Sequence, residues 1–176
     1  MSAKDKKTKT TTTKTTTTNI KQKSVRHIPE GYHSVTPYVI CKDAGKAIDF
    51  YKKSLGAREL SRFGDPSGKI AHAEILIGNS HLMLADEFPE MNFKSPKTLG
   101  GSPVSFMVYV EDVDFVAKQA TKAGMKELKP VADQFYGDRS GTFEDPYGHT
   151  WTISTHIEDV TPAEMKKRAA ALFGPK

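Results

Sequence analysis

The sequence predicts an α+β fold built from two copies of one strand–helix–strands unit, and three observations carry this. The first is a pair of strand-to-helix runs, TPYVI (36–40) followed by Asp43 and SFMVYV (105–110) followed by Asp112. The second is their common spacing. Apolar residues fall at +1, +4, +5 and +8 from each Asp (Ala44, Ala47, Ile48 and Tyr51; Val113, Val116, Ala117 and Ala120), and the copies are offset by 69 residues. Such steps line one helix face. The third is a later pair of alternating runs, HAEILIG (72–78) with HLMLA (81–85) and GTFEDPYG (141–148) with HTWTIST (149–155). There Glu74 matches Glu144 and Gly78 matches Gly148, both at a shift of 70. A unit this small cannot bury its sheet face alone, so the two copies are expected to share a core.

The composition fits this frame. Among 176 residues, 37% hydrophobic and 27% charged, with one Cys and one Trp, collagen-like, disulfide-stapled and membrane-spanning classes are excluded. The net charge of +5 is uneven: residues 1–27 hold eight basic side chains against Asp5, leaving 18 basic and 20 acidic in the remainder. A basic protein would suggest a polyanion partner, but the part expected to fold is mildly acidic. The Lys/Thr-rich stretch 1–27 lacks the apolar surface to offset its ordering entropy and is expected to be a disordered, solubilising extension, with a nucleic-acid or anionic-membrane tether as the alternative. No apolar run follows its lysines, as a secretory signal requires, and a Thr run disfavours the helix of a transit peptide. A cytoplasmic location is expected. Cys41 lies in the apolar run YVIC and reads as a packed side chain without a redox role.

Each element then has its reason. Asp43 caps a helix that Gly56 ends in the left-handed region, and Asp112 caps the second. Gly78-Asn79 turns the first hairpin, and Asp145-Pro146-Tyr147-Gly148 is a turn in which Pro fixes φ and Gly takes a positive φ. Residues 86–102 form a long linker that reads as crossing the mouth of a cleft or reaching a partner subunit. Thr161-Pro162-Ala163-Glu164 is a capping box opening a C-terminal packing helix to 174. The expected organisation is a domain over 28–160, with one module at 33–88 and another at 103–156.

The phrases PYVICKDAGKAIDFYKKSLGA, HAEILIGNSHLMLADE and YGDRSGTFEDPYGHTWTIST, with the ending HIEDVTPAEMKKR, resemble the vicinal-oxygen-chelate (glyoxalase, bleomycin-resistance and dioxygenase) superfamily, in its PhnB-like branch. The resemblance implies tandem βαβββ modules, a curved mixed sheet with a concave cleft, and commonly a homodimer. It also implies up to four metal-ligand positions, usually His, Glu or Gln, on the first and last strands of each module. Counting from the capping Asp residues and hairpin glycines places these at Thr36, Leu82, Ser105 and Thr152, none of them a usual ligand for Fe, Mn, Ni or Zn. No metal or other cofactor is therefore expected.

On that reading the leading expectation is a metal-free protein that binds a small organic ligand in a cleft lined by Tyr38, Met107, Tyr109, Tyr136, Arg139 and Trp151. Arg139 would hold an anionic group or else pair with Asp138, Glu144 or Asp145; Trp151 would stack on the ligand or else sit in the core. The alternative is an enzyme of lyase, isomerase or dioxygenase type. His72 and Glu74, two apart on one strand, would then act as an acid–base pair or a shifted metal site. Otherwise they form a structural hydrogen-bond pair. A nucleic-acid role through the basic extension is the third and less favoured class.

Overall fold

The computed structural model describes residues 25–174 of the chain. It contains two four-stranded mixed sheets, each with its own helix. In the first module β1 (Tyr38–Cys41), α1 (Ala44–Leu55), β2 (Arg58–Gly64), β3 (Ile70–Ile77) and β4 (Ser80–Asp86) form a sheet of order β1-β4-β3-β2. After a 3-10 turn (Pro89–Met91) and the short α2 (Pro96–Leu99), the second module repeats it: β5 (Ser105–Tyr109), α3 (Val113–Ala123), β6 (Lys126–Asp133), β7 (Asp138–Glu144) and β8 (Thr150–His156), in the order β5-β8-β7-β6. The first strand of each module runs parallel to the last and all other pairs are antiparallel. The chain ends in α4 (Pro162–Phe173).

The predicted caps are present. Asp43 accepts from the Lys46 amide and Asp112 from the Phe115 amide, while Gly56 closes α1 at φ +66°. The helices cover the inner face of each sheet and pack on one another, burying Ala47, Ile48 and Tyr51 of α1 with Val113, Ala117 and Ala120 of α3. Gln119 of α3 donates to the Ser54 carbonyl at the end of α1, 3.2 Å away. Val39, Cys41, Ile75, Leu84, Phe143 and Ile153 complete this shared core, and burial pushes the Cys41 thiol well up.

Beyond the modules the structure places two further segments. In the linker Lys97 pairs with Glu144 at 3.2 Å and Pro96 packs beside Gly148, so the segment docks at the β7–β8 turn. The C-terminal helix forms with Thr161 as its cap, yet no side chain of it is fully buried. Arg168 instead ties it back through a double hydrogen bond to Glu158. The basic extension falls outside the described residues except for 25–27.

Candidate functional site

Strand alternation builds the outward face of the first sheet. Tyr38 stands opposite Met83, Met83 opposite Glu74, and His72 opposite Phe63. Side chains two apart share a face, so these five look away from the helices while Val39, Ala73, Ile75, Leu82 and Leu84 look into the core.

Glu74 is the hub of this face. Tyr32, from the segment preceding β1, donates its hydroxyl to Glu74 Oε2. His72 Nε2 lies 3.1 Å from Glu74 Oε1, and Tyr38 Oη lies 3.1 Å from His72 Nδ1. With a neutral imidazole, Nε2–H donates to Glu74 and Nδ1 accepts from Tyr38, giving a relay from an exposed phenol to a half-buried carboxylate. The bond to Glu74, with burial and the carboxylate charge, pushes the Tyr32 phenol up to about 12. The same bond, joined by His72 and opposed by burial, holds the Glu74 carboxyl below its ordinary value. His81 stacks on the Tyr32 ring at 3.9 Å, and its Nδ1 is buried without a partner among the described residues.

The second sheet carries a different polar cluster. Buried Asp138 accepts from Tyr109 Oη at 2.9 Å and Ser154 Oγ at 3.1 Å, and lies 2.8 Å from His156 Nδ1. His156 Nε2 faces Asp159 at 3.0 Å. The two carboxylates raise the His156 imidazole above its ordinary value, while burial raises the Asp138 carboxyl and its three partners more than reverse that. Between the modules a fissure of about 330 Å³ opens between the β3–β4 hairpin and β5, lined by His33, Val35, His81, Phe106, Met107 and Tyr109 among others.

The structure brings together some of the expected site residues and separates others. Tyr38, His72 and Glu74 join on one face; Met107 and Tyr109 lie on the outward face of the second sheet, 51% and 60% exposed. Tyr136 sits in the β6–β7 turn with its ring 5.3 Å from Phe135. Arg139 and Trp151 are corrections. Arg139 is out of phase with Asp138 and Ser140 on β7, so it points to the helix side, where Nε and Nη2 bond Asp114 of α3 at 2.8 and 2.9 Å and Nη1 bonds Asp133 at 2.8 Å. None of the acids expected to pair with it does so. Trp151 is 3% exposed, packs between Phe106 and Tyr51, and donates from Nε1 to Asp145 at 2.9 Å. It borders the fissure only from the core side.

Leu82 is a third correction. In the first hairpin Ile77 pairs with Ser80, leaving two turn residues, whereas Glu144 pairs with Thr150 across a longer turn. Counting from the glycines therefore shifts the register. Met83 matches Thr152, because they lie opposite Tyr38 and Met107, which are equivalent at the 69-residue offset of the modules, and Glu74 matches Thr142 rather than Glu144. The four outward positions become Thr36, Met83, Ser105 and Thr152. A thioether and three hydroxyls are poor donors for the family's usual ions, so the residues do not fit such a metal. Among the described residues no three His, Cys, Asp or Glu side chains form a group able to hold an ion, which leaves His72 and Glu74 short of a shifted metal site.

Sequence reasoning missed Tyr32, His81, Asp138 and His156. Tyr32 precedes the first strand and carries no periodic signal. For Asp138 and His156, strand parity places both on the outward face once the β7–β8 register is known.

Tandem βαβββ modules with helix-backed sheets and open outward faces define a protein of the glyoxalase fold. The chain belongs to the Glyoxalase/Bleomycin resistance protein/Dioxygenase superfamily, whose family model matches residues 31–153. An uncharacterized protein of Mycobacterium bovis is 37% identical over 136 residues, 76% of this chain and 90% of that one. Among solved structures, TioX from Micromonospora sp. ML1 is similar at TM-score 0.56 and 26% identity, with 70% of this chain and 98% of that chain covered. A PhnB protein from Bacillus cereus shares the fold at TM-score 0.55 and 20% identity, covering 70% and 99%. Among the described residues no helix is long and apolar enough to cross a membrane.

Proposed function

We propose that this chain binds a small organic ligand on its outward sheet faces without a metal ion, using Tyr38, Met107 and Tyr109, with Tyr136 at the rim and the inter-module fissure as its apolar recess. The observation that carries this reading is the residue set Thr36, Met83, Ser105 and Thr152 at the strand positions where metal-dependent relatives carry ligands. Exposed tyrosine and methionine with hydroxyls around them supply contact area and a few orienting hydrogen bonds. A homodimer and a cytoplasmic setting belong to the same proposal.

One observation favours a second reading. His72 is held between Glu74 and Tyr38 at 3.1 Å on each side, which is the geometry of an acid–base relay for isomerase or lyase chemistry.

Elemental analysis of protein purified without chelators, followed by a thermal-shift screen with aromatic small molecules, tests both. The expected result is no stoichiometric Fe, Mn, Ni or Zn, together with hits whose stabilisation is lost in Tyr38→Ala and Met107→Ala. Stoichiometric metal that disappears in His72→Ala overturns the binding reading. A hit that wild type converts and His72→Gln does not moves the assignment to the enzyme.

A further inference from the structure

Tyr32 reaches the binding face from outside the sheet. It is carried by the segment 25–36, a strap whose internal hydrogen bonds are short-range, the Tyr32 amide to the Pro29 carbonyl at 3.1 Å and Thr36 Oγ1 to the His33 carbonyl at 3.4 Å; the sheet takes hold of the chain at the next residue, where the Met83 amide donates to the Pro37 carbonyl at 3.0 Å. Gly31 turns the strap at φ +82° and brings it against His81; a Cβ there would come within 3.2 Å of the imidazole. Val25 and Val35, two of its apolar side chains, are exposed, so Tyr32 is a main anchor.

The contacts of that anchor are those of a bound ligand. The ring lies on His81 with 22° between planes, and the hydroxyl is taken by Glu74. The stacking partner has a polar atom to spare, since His81 Nδ1 is buried without a partner among the described residues. His81 also lines the inter-module fissure next to His33 and Val35 of the strap. A ring on His81 is thus at the entrance of a space large enough for the rest of a small molecule.

We infer that Tyr32 is an internal occupant of the binding face, and that the ligand is a planar aromatic compound bearing a hydroxyl group, which enters by displacing Tyr32 and lays its ring on His81 with its hydroxyl on Glu74. This deepens the binding reading above and rests on it. Closure by Tyr32 lowers the apparent affinity by the fraction of chains with the strap open. Removing the side chain removes that competition and leaves a subsite shaped for a phenol.

The probe is p-cresol, the tyrosine side chain as a free molecule, titrated into the full chain while the His81 and His72 ring signals are followed by NMR. Tyr32→Ala is expected to bind p-cresol about tenfold or more tightly than wild type. Toluene, which lacks the hydroxyl, binds it more weakly, and the preference for p-cresol disappears in Tyr32→Ala/Glu74→Gln. Tyr32→Phe keeps the ring and loses the bond to Glu74, so its p-cresol affinity rises above wild type by a smaller factor; it decides the question if Tyr32→Ala does not fold. Equal affinities across wild type and both Tyr32 variants, or no binding to the variants, overturn the inference. If p-cresol fails while other compounds in the thermal-shift screen still depend on Tyr38 and Met107, the phenol assignment falls and the binding reading stands. A screen without hits removes the binding reading itself.

Discussion

Asp145 holds the two modules together with one side chain. It is 1% exposed; its Oδ2 accepts from Tyr51 Oη of α1 at 2.7 Å and from Trp151 Nε1 at 2.9 Å, and its Oδ1 from the amides of Tyr147 and His149, both at 2.9 Å. Burial pushes this carboxyl up, and the His149 imidazole with the Tyr51 and Trp151 donors pulls it further down, leaving it below the ordinary value. A carboxyl depressed in the folded state contributes stability that is fully present above its unfolded pKa, about 3.9, and is lost as the pH falls through the folded value. Asp145→Asn should therefore cost about 3 kcal/mol at neutral pH, since buried donors lose a charged acceptor. The gap between variant and wild type should narrow below about pH 4. Urea midpoints measured from pH 7 to pH 3 check this; a gap that stays constant with pH would show that the carboxylate charge is not what the site uses. The sequence marks Asp145 as a turn residue and a candidate partner of Arg139 and not as this hub, because its partners Tyr51 and Trp151 are fixed by tertiary packing. Arg139 illustrates the converse: its charge suggested either an anionic ligand or an ion pair, and strand parity turned it to an ion pair with Asp114 and Asp133, acids the local sequence did not single out.

At the scale of elements, the duplicated spacing made both helices, their Asp caps and six of the eight strands legible in the sequence, since periodicity and capping are local properties, whereas β2 and β6 were implied only by the family resemblance. What the repeat did not convey was the differing turn lengths of the two hairpins, and a single residue of slip exchanges faces, as it did for Leu82 and Met83. The return of the chain after β8 was likewise hidden. Gly137, at φ +96°, accepts the amides of Ile157 and Glu158 on its carbonyl at 2.9 and 3.0 Å, and any Cβ on it would collide with the Glu158 carbonyl. Gly137→Ala is thus strained twice, by its backbone angle and by the lost approach, costing on the order of 2 kcal/mol or more. Hydrogen exchange should rise selectively over 156–173 while β1–β4 stay protected. Uniform loss of protection would mean that the segment is part of the global core.

For the whole molecule, the joint packing of α1 on α3 gives the modules one core and leaves both outward faces open, and the edges of the sheets differ in what they can meet. The outer edges are guarded: β2 carries Arg58, Glu59 and Arg62, and β6 carries Lys126, Glu127, Lys129 and Pro130, charges and a proline that discourage edge pairing. The inner strands are not, for neither β1 nor β5 holds a charged residue, and beside their edges Tyr38, Met107 and Tyr109 project from the outward faces at 46%, 51% and 60% exposure. A second copy is therefore expected to meet the β1 and β5 side, where it would also wall the binding face. Light scattering at micromolar concentration should give twice the chain mass of 19.4 kDa. Met107→Lys should shift that equilibrium to the monomer, because it buries a charge in the contact, whereas Lys129→Ala on the guarded edge should leave it unchanged. A monomeric wild type removes the dimer, and a dimer indifferent to Met107→Lys moves the contact away from β5.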